Sequence, residues 1–319
     1  MDKTQMIYVV FSAVIILALV FDLGLLSKKN QVISLKAALI QTIFWVFLSV
    51  AFCGFILIEN ADGNGKEDAI AYISAYLLEW SLSIDNIFVF IIIFSYFKVR
   101  PENYSRVLLL GILMAIVFRI IFIALGSELV ARFDWVMYIF GAFLLYTGIK
   151  MFSSKEEAEF NPEKSWSYRL IKKAMPVTNA EANGRFFLIE NNKRHLTTLS
   201  VVVVMLGLID IVFAVDSIPA VFSIIPDPSK KLLIYSSNIF AVLGLRSLFF
   251  LLRGAATKFD YLQQGIAIVL VFIGVKMLIE KWIHLPVWVS LLVIVMCISF
   301  SIYYSIRFNR KEGEDIPDE

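Results

Sequence analysis

Nine stretches of about 20 apolar residues constrain this chain more than any other feature. They cover 5–26, 34–58, 70–97, 106–126, 134–151, 197–223, 232–252, 261–280 and 286–306. A helix needs about 20 such residues to cross a hydrocarbon core of roughly 30 Å. The expected fold is therefore all-α, a polytopic helical membrane protein with nine transmembrane helices. Composition agrees: the 319 residues are 59% hydrophobic and 18% charged, whereas soluble domains run near half and a quarter. The first block is too long for a signal peptide and lacks a small-residue cleavage site, so it reads as a retained helix.

Loop charge sets the orientation, because Lys and Arg collect on the cytoplasmic side. With the N-terminus outside, the inner segments carry 19 basic residues and the outer ones six, and Arg119, Lys150, Arg246 and Lys276 fall within spans. That asymmetry predicts N-terminus outside and C-terminus inside. The net charge of +2 gives no reason to expect a nucleic-acid partner. Cys53 and Cys297 each stand alone in a span, without a CxxC, so both read as small apolar fillers.

The chain also repeats itself. RFDWVMYIFGAFLLYTGIKM at 132–151 matches KFDYLQQGIAIVLVFIGVKM at 258–277, an offset of 126 residues. Arg119 matches Arg246, and EWSLSIDN matches DIVFAVDS, with six residues from Glu79 to Asp85 and six from Asp210 to Asp216. Each copy holds three spans, an odd number, so the copies enter the membrane from opposite sides. Such inverted repeats place a binding site near the midplane between them. The expected layout is two N-terminal helices in 1–69, a first repeat in 70–152 and a linker in 153–196. A second repeat in 197–280 precedes a last helix and tail in 281–319. In the linker, SYRLIKKAM reads as an interfacial amphipathic helix. GRFFLIENNKRHLTT reads as a hairpin turning at Asn191-Asn192. The segment is either plain linker or a gate or protein-docking element at the cytoplasmic mouth.

An ionised carboxylate near the bilayer centre costs a few kcal/mol. Yet Asp85, Asp210 and Asp216 fall inside spans, and Glu79 begins the polar run. Glu79, Ser83 and Asn86 line up on one helix face, with Asp85 beside them; Asp210, Ala214 and Ser217 repeat that line beside Asp216. Pro219 frees a backbone carbonyl near Val215. Carboxylate, amide and backbone oxygens suit hard divalent cations, so a metal ion is expected between Asp85/Asn86 and Asp216/Ser217. Asp22 and Asn238 are candidates to line the same path. Arg119 and Arg246 either pair with these acids to assemble the bundle or leave four acids in excess over two arginines. Lys150 and Lys276 are expected to snorkel, and Asp134 and Asp260 to cap helices. His195 and His284 lie outside the motifs, which disfavours zinc or copper.

EWSLSIDNIFVF, IFGAFLLYTGIKM, FAVDSIPAVF, SNIFAVLGLRSLFFLL and FIGVKM resemble the TerC family of bacterial membrane proteins, particularly its Alx branch, over essentially the whole chain. The resemblance implies a fold like that of the LysE group of exporters. It implies an inner-membrane, divalent-cation exporter acting chiefly on Mn²⁺, with no prosthetic group, and a link to tellurium resistance. It nominates Glu79, Asp85, Asn86, Asp210, Asp216 and Ser217 as site residues. Many members carry an acid three residues before Asp210, where this chain has Gly207. Two alternatives stand beside export: a stress scaffold without transport, and an intramembrane aspartyl protease, which the absence of Gly-Asp beside the acids disfavours.

Overall fold

The computed structural model describes residues 3–21, 33–59, 65–133, 135–153, 166–174, 176–178, 184–190, 193–253 and 261–312. Besides a 3₁₀ turn at Pro101–Asn103 and one hairpin, the chain forms ten α-helices in these segments. They are α1 (Lys3–Phe21), α2 (Leu35–Glu59), α3 (Gly65–Tyr96), α4 (Tyr104–Arg132), α5 (Val136–Ser153), α6 (Trp166–Ala174), α7 (Thr198–Ile224), α8 (Lys231–Leu252), α9 (Leu262–Ile279) and α10 (Val287–Glu312). Strands β1 (Phe187–Glu190) and β2 (Lys193–Leu196) pair antiparallel, with Glu190 opposite Lys193. Asp22, Asp134, Asp260, Asn191 and Asn192 lie outside the described residues.

Among the described residues, five helices are long and apolar enough to cross a membrane: Leu35–Ile58, Pro101–Arg132, Thr198–Ile224, Lys231–Leu252 and Val287–Ser305. Phe11–Val20, Val136–Met151 and Gln264–Ile279 are shorter apolar helices. The acid-bearing α3 runs 32 residues, about 48 Å at the α-helical rise. Large side chains such as Ile16, Leu17, Phe47, Ile58, Leu125 and Phe300 face outward. An apolar rim of this kind is what lipid contact requires, and in water it would be a liability.

Burial sorts the helices into centre and periphery. The apolar stretch of α8 is 83% enclosed and that of α10 only 11%, so α8 is a core helix and α10 an outer one. Phe52 joins α1, α2, α3 and α8 through ring contacts to Phe11, Tyr72 and Phe240 at 5.4–5.6 Å. Ser49 and Tyr72 share a hydrogen bond of 2.9 Å, which satisfies both buried hydroxyls between α2 and α3. Lys230 donates to Asp68 at 2.6 Å, fixing the start of α8 to the start of α3.

Contact pairs give the helix directions. Asp68 meets Lys230 and Phe94 meets Phe249, so α3 and α8 run the same way. Gly111 meets Leu206 and Gly126 meets Phe222, so α4 and α7 also run together. Gly141 meets Gly274 while Gly148 meets Ala267, so α5 and α9 are antiparallel. The pairs Phe94–Tyr104 and Glu79–Arg119 make α3 and α4 antiparallel, and hence α3 and α7 as well.

Helix α3 ends on Lys98 in the left-handed region, φ 47°. Val99 N–H donates to Phe94 O and Lys98 N–H to Ser95 O, the two bonds of a Schellman cap. Beyond it, the hairpin docks on the start of α7, where Thr197 Oγ1 donates to Arg185 O at 2.9 Å. The Arg106 guanidinium lies over Phe186, 5.2 Å from its ring centre. The expected amphipathic segment is α6, which buries Tyr168 and Ile171 and exposes Arg169 and Lys173.

Lys276 departs from the expectation of snorkelling. It is 3% exposed and donates to Ser223 O at 3.1 Å and Ser290 Oγ at 3.2 Å. Snorkelling needs an open helix end, and here α7 and α10 close over it. Its counterpart Lys150 is exposed.

Candidate functional site

The polar groups that stood out in the apolar runs meet where α3, α4, α7 and α8 come together. Arg119 of α4 is at the middle. Its Nε donates to Asp210 Oδ2 at 2.7 Å and its Nη2 to Asp210 Oδ1 at 2.9 Å, a bidentate fork on α7. Its Nη1 donates to Glu79 Oε1 of α3 and, at 2.9 Å, to Asn238 Oδ1 of α8. Glu79, Arg119, Asp210 and Asn238 are each no more than 1% exposed. Charges taken this far from water are tolerable only when paired and hydrogen-bonded.

The pairing is incomplete. Glu79 Oε2, Ser83 Oγ, Ser217 Oγ and Asn238 Nδ2 are buried without a hydrogen-bond partner. Ser217 Oγ approaches the Glu79 carboxylate without completing a bond to it. Leaving a polar group in this condition costs about 1–3 kcal/mol. The centre thus holds two carboxylates, one guanidinium and several unused polar atoms.

The other nominated residues are distributed around it. Asn86 and Ser217 are buried, while Asp216 is half-buried and accepts a hydrogen bond from Thr147 Oγ1 of α5 at 3.3 Å. Asp85 lies on α3, and its side chain is outside the described residues. Arg246 donates to Ser105 Oγ at 3.0 Å near the start of α4. Among the described residues, no three His, Cys, Asp or Glu side chains stand together to hold a metal ion.

The helix directions set the backbone positions of Asp85 and Asp216 on opposite sides of the Arg119 cluster. Six residues beyond Glu79 on α3 and six beyond Asp210 on α7 lead opposite ways, each about 9 Å by helical rise. The acids are therefore strung along the bundle axis, with the Arg119 cluster between Asp85 and Asp216. Of the pairings open to Arg119, the structure shows it shared between Glu79 and Asp210. Thr147, between Tyr146 and the Gly148–Ile149–Lys150 motif, was not singled out in the sequence. The place of the missing acid at Gly207 is filled by the Met114 side chain, which packs over it.

A separate cavity of about 300 Å³ opens at the ends of α5, α7 and α9, lined by Met137, Tyr138, Ser223, Met277, Glu280 and His284 among others. It does not reach the Arg119 cluster.

Residues 64–313 match the family model described as "Integral membrane protein TerC family". The chain is 38% identical to "Putative membrane-bound redox modulator Alx" of Salmonella typhi, over 98% of this chain and 98% of that protein. Identity to the protein of the same name in Escherichia coli K12 is also 38%, over 97% and 98%. It is 41% identical to "Uncharacterized membrane protein STKORF319" of Myxococcus xanthus, over 94% and 92%. No solved structure matches the chain.

Proposed function

Because the chain belongs to the TerC family of integral membrane proteins, we propose that it exports divalent cations across the bacterial inner membrane. Its cargo in this reading is Mn²⁺, with protons moving inward in exchange. The observation that carries the reading is the buried Glu79–Asp210 pair, which has more oxygen atoms than Arg119 uses. Carboxylate, amide and hydroxyl oxygens suit hard divalent ions. Two vacated carboxylates take up two protons, which balances one divalent charge.

Helix packing supports an inverted repeat behind this site. α3 lies against α8 as α4 lies against α7, both running parallel, while α5 crosses α9 antiparallel. Two three-span units of opposite orientation require these directions. The contacts Gly141–Gly274 and Gly148–Ala267 also exchange under the 126-residue sequence offset. In this reading nine spans cross the bilayer, the N-terminus lies outside, and α6 and the hairpin offer a protein partner a cytoplasmic face.

One observation favours the alternative of a stress or tellurium-resistance scaffold: Arg119 ties four helices together, as a purely structural ion pair would.

Cellular manganese content in an exporter-deficient bacterium tests the proposal. Expression of the wild type is expected to lower it and raise Mn²⁺ tolerance, and Asp85→Asn and Asp216→Asn are expected to abolish both effects at equal membrane abundance. Unchanged manganese with abundant wild-type protein rejects manganese export. Full activity in both variants rejects the assignment of these acids.

A further inference from the structure

We propose that Arg119 is a tethered cation occupying the transported ion's place, so that an entering divalent ion must displace its guanidinium from Glu79 and Asp210. This rests on the cation-transport reading above and adds to it the competitor that the ion meets.

The partners of Arg119 are the first ground. The oxygens it engages, both of Asp210, one of Glu79 and one of Asn238, are the hard oxygens a divalent cation would draw on. The atoms it leaves alone are the second. Glu79 Oε2, Ser83 Oγ and Ser217 Oγ have no partner although the residues are at most 2% exposed. A pair serving only to join helices gains by satisfying every buried atom. A flat guanidinium fork engages oxygens only where its N–H bonds point. A spherical ion draws oxygens from all sides and can use those the fork leaves.

Charge sets the outcome of the competition. Two carboxylates against one guanidinium leave a surplus negative charge, whereas one divalent ion balances both. A monovalent ion carries no more charge than the guanidinium and lacks its fork and its tether, so it loses. The exchange therefore selects for divalent cations without a cage of preset radius. It also couples binding to shape, because freeing Arg119 breaks its hydrogen bonds to α3, α7 and α8 at one stroke, between the levels of Asp85 and Asp216.

The test is Mn²⁺ binding to purified full-length protein in detergent, read from the loss of the free-ion electron paramagnetic resonance signal. Wild type, Arg119→Gln, Arg119→Lys and Asp216→Asn are compared, with helicity checked by circular dichroism. Arg119→Gln is expected to bind Mn²⁺ about tenfold tighter or more than wild type. The gain should vanish when Glu79→Gln is added. Should Arg119→Gln not fold, Arg119→Lys decides: it keeps the charge but loses the fork and is expected to bind more tightly than wild type. Wild-type binding that is weakened by Asp216→Asn but not strengthened by either folded Arg119 variant overturns the tethered-cation proposal alone. No Mn²⁺ binding in any of the proteins overturns the cation-transport reading and this proposal with it.

Discussion

At the residue scale, the sequence marks which side chains matter better than it marks whom they meet. Glu79, Asp210, Arg119 and Asn238 were legible because each is polar in an apolar run, where its burial has a cost. That a single guanidinium takes both acids was not legible, since it depends on which helix faces meet. Lys276 shows the same limit: its place at the end of a span suggested snorkelling, and the following helix α10 covers it. Its ammonium has two neutral partners, Ser223 O and Ser290 Oγ. A buried charge held by neutral groups is a weak stabiliser. Lys276→Met is therefore expected to leave the melting temperature in detergent unchanged or raised, while Lys276→Ala, which opens a cavity, lowers stability by about 2 kcal/mol.

At the element scale, close helix contact decides the architecture. A Cβ on Gly274 would lie 2.7 Å from Leu145 N and 2.8 Å from Gly141 O, both backbone atoms of α5. Backbone cannot swing aside, so α5 and α9 would have to separate. Gly54 on α2 has nothing within 4 Å of its Cβ position. Gly274→Ala is expected to lower the melting temperature, by about 1–3 kcal/mol of overpacking. Gly54→Ala is expected to hold or raise it, since alanine is the better helix former by about 0.5–1 kcal/mol. Thermal unfolding of the two variants side by side checks the pair. The GIKM and GVKM ends that revealed the repeat owe their glycines to this crossing. The motif was plain in the sequence, but its reason, backbone against backbone, needed the partner helix. The opposed course of α3 and α7 was legible from the odd number of spans in each copy; that Glu79 and Asp210 meet at Arg119, which sets Asp85 and Asp216 on opposite sides of it, was not.

At the scale of the whole molecule, an apolar exterior encloses a small polar centre. The length and apolarity of the blocks made the membrane class legible, whereas the pairing of α3 with α8, α4 with α7 and α5 with α9 depends on which faces meet. Which helix lies inside was legible only in part: α8, with a mean hydropathy of 1.5 against 2.2 for α10, is the more polar of the two, but which neighbours enclose it depends on the packing. In the proposed function, the Glu79–Asp210–Arg119 cluster lies on a cation path through the bundle. The most direct test is Mn²⁺ flux into proteoliposomes holding the purified protein, with wild type compared to Asp210→Asn. Saturable Mn²⁺ uptake by the wild type, lost in the variant at equal reconstitution, is the expected result. Wild-type flux no greater than that of empty liposomes for any divalent cation, or undiminished flux in Asp210→Asn, would contradict the account.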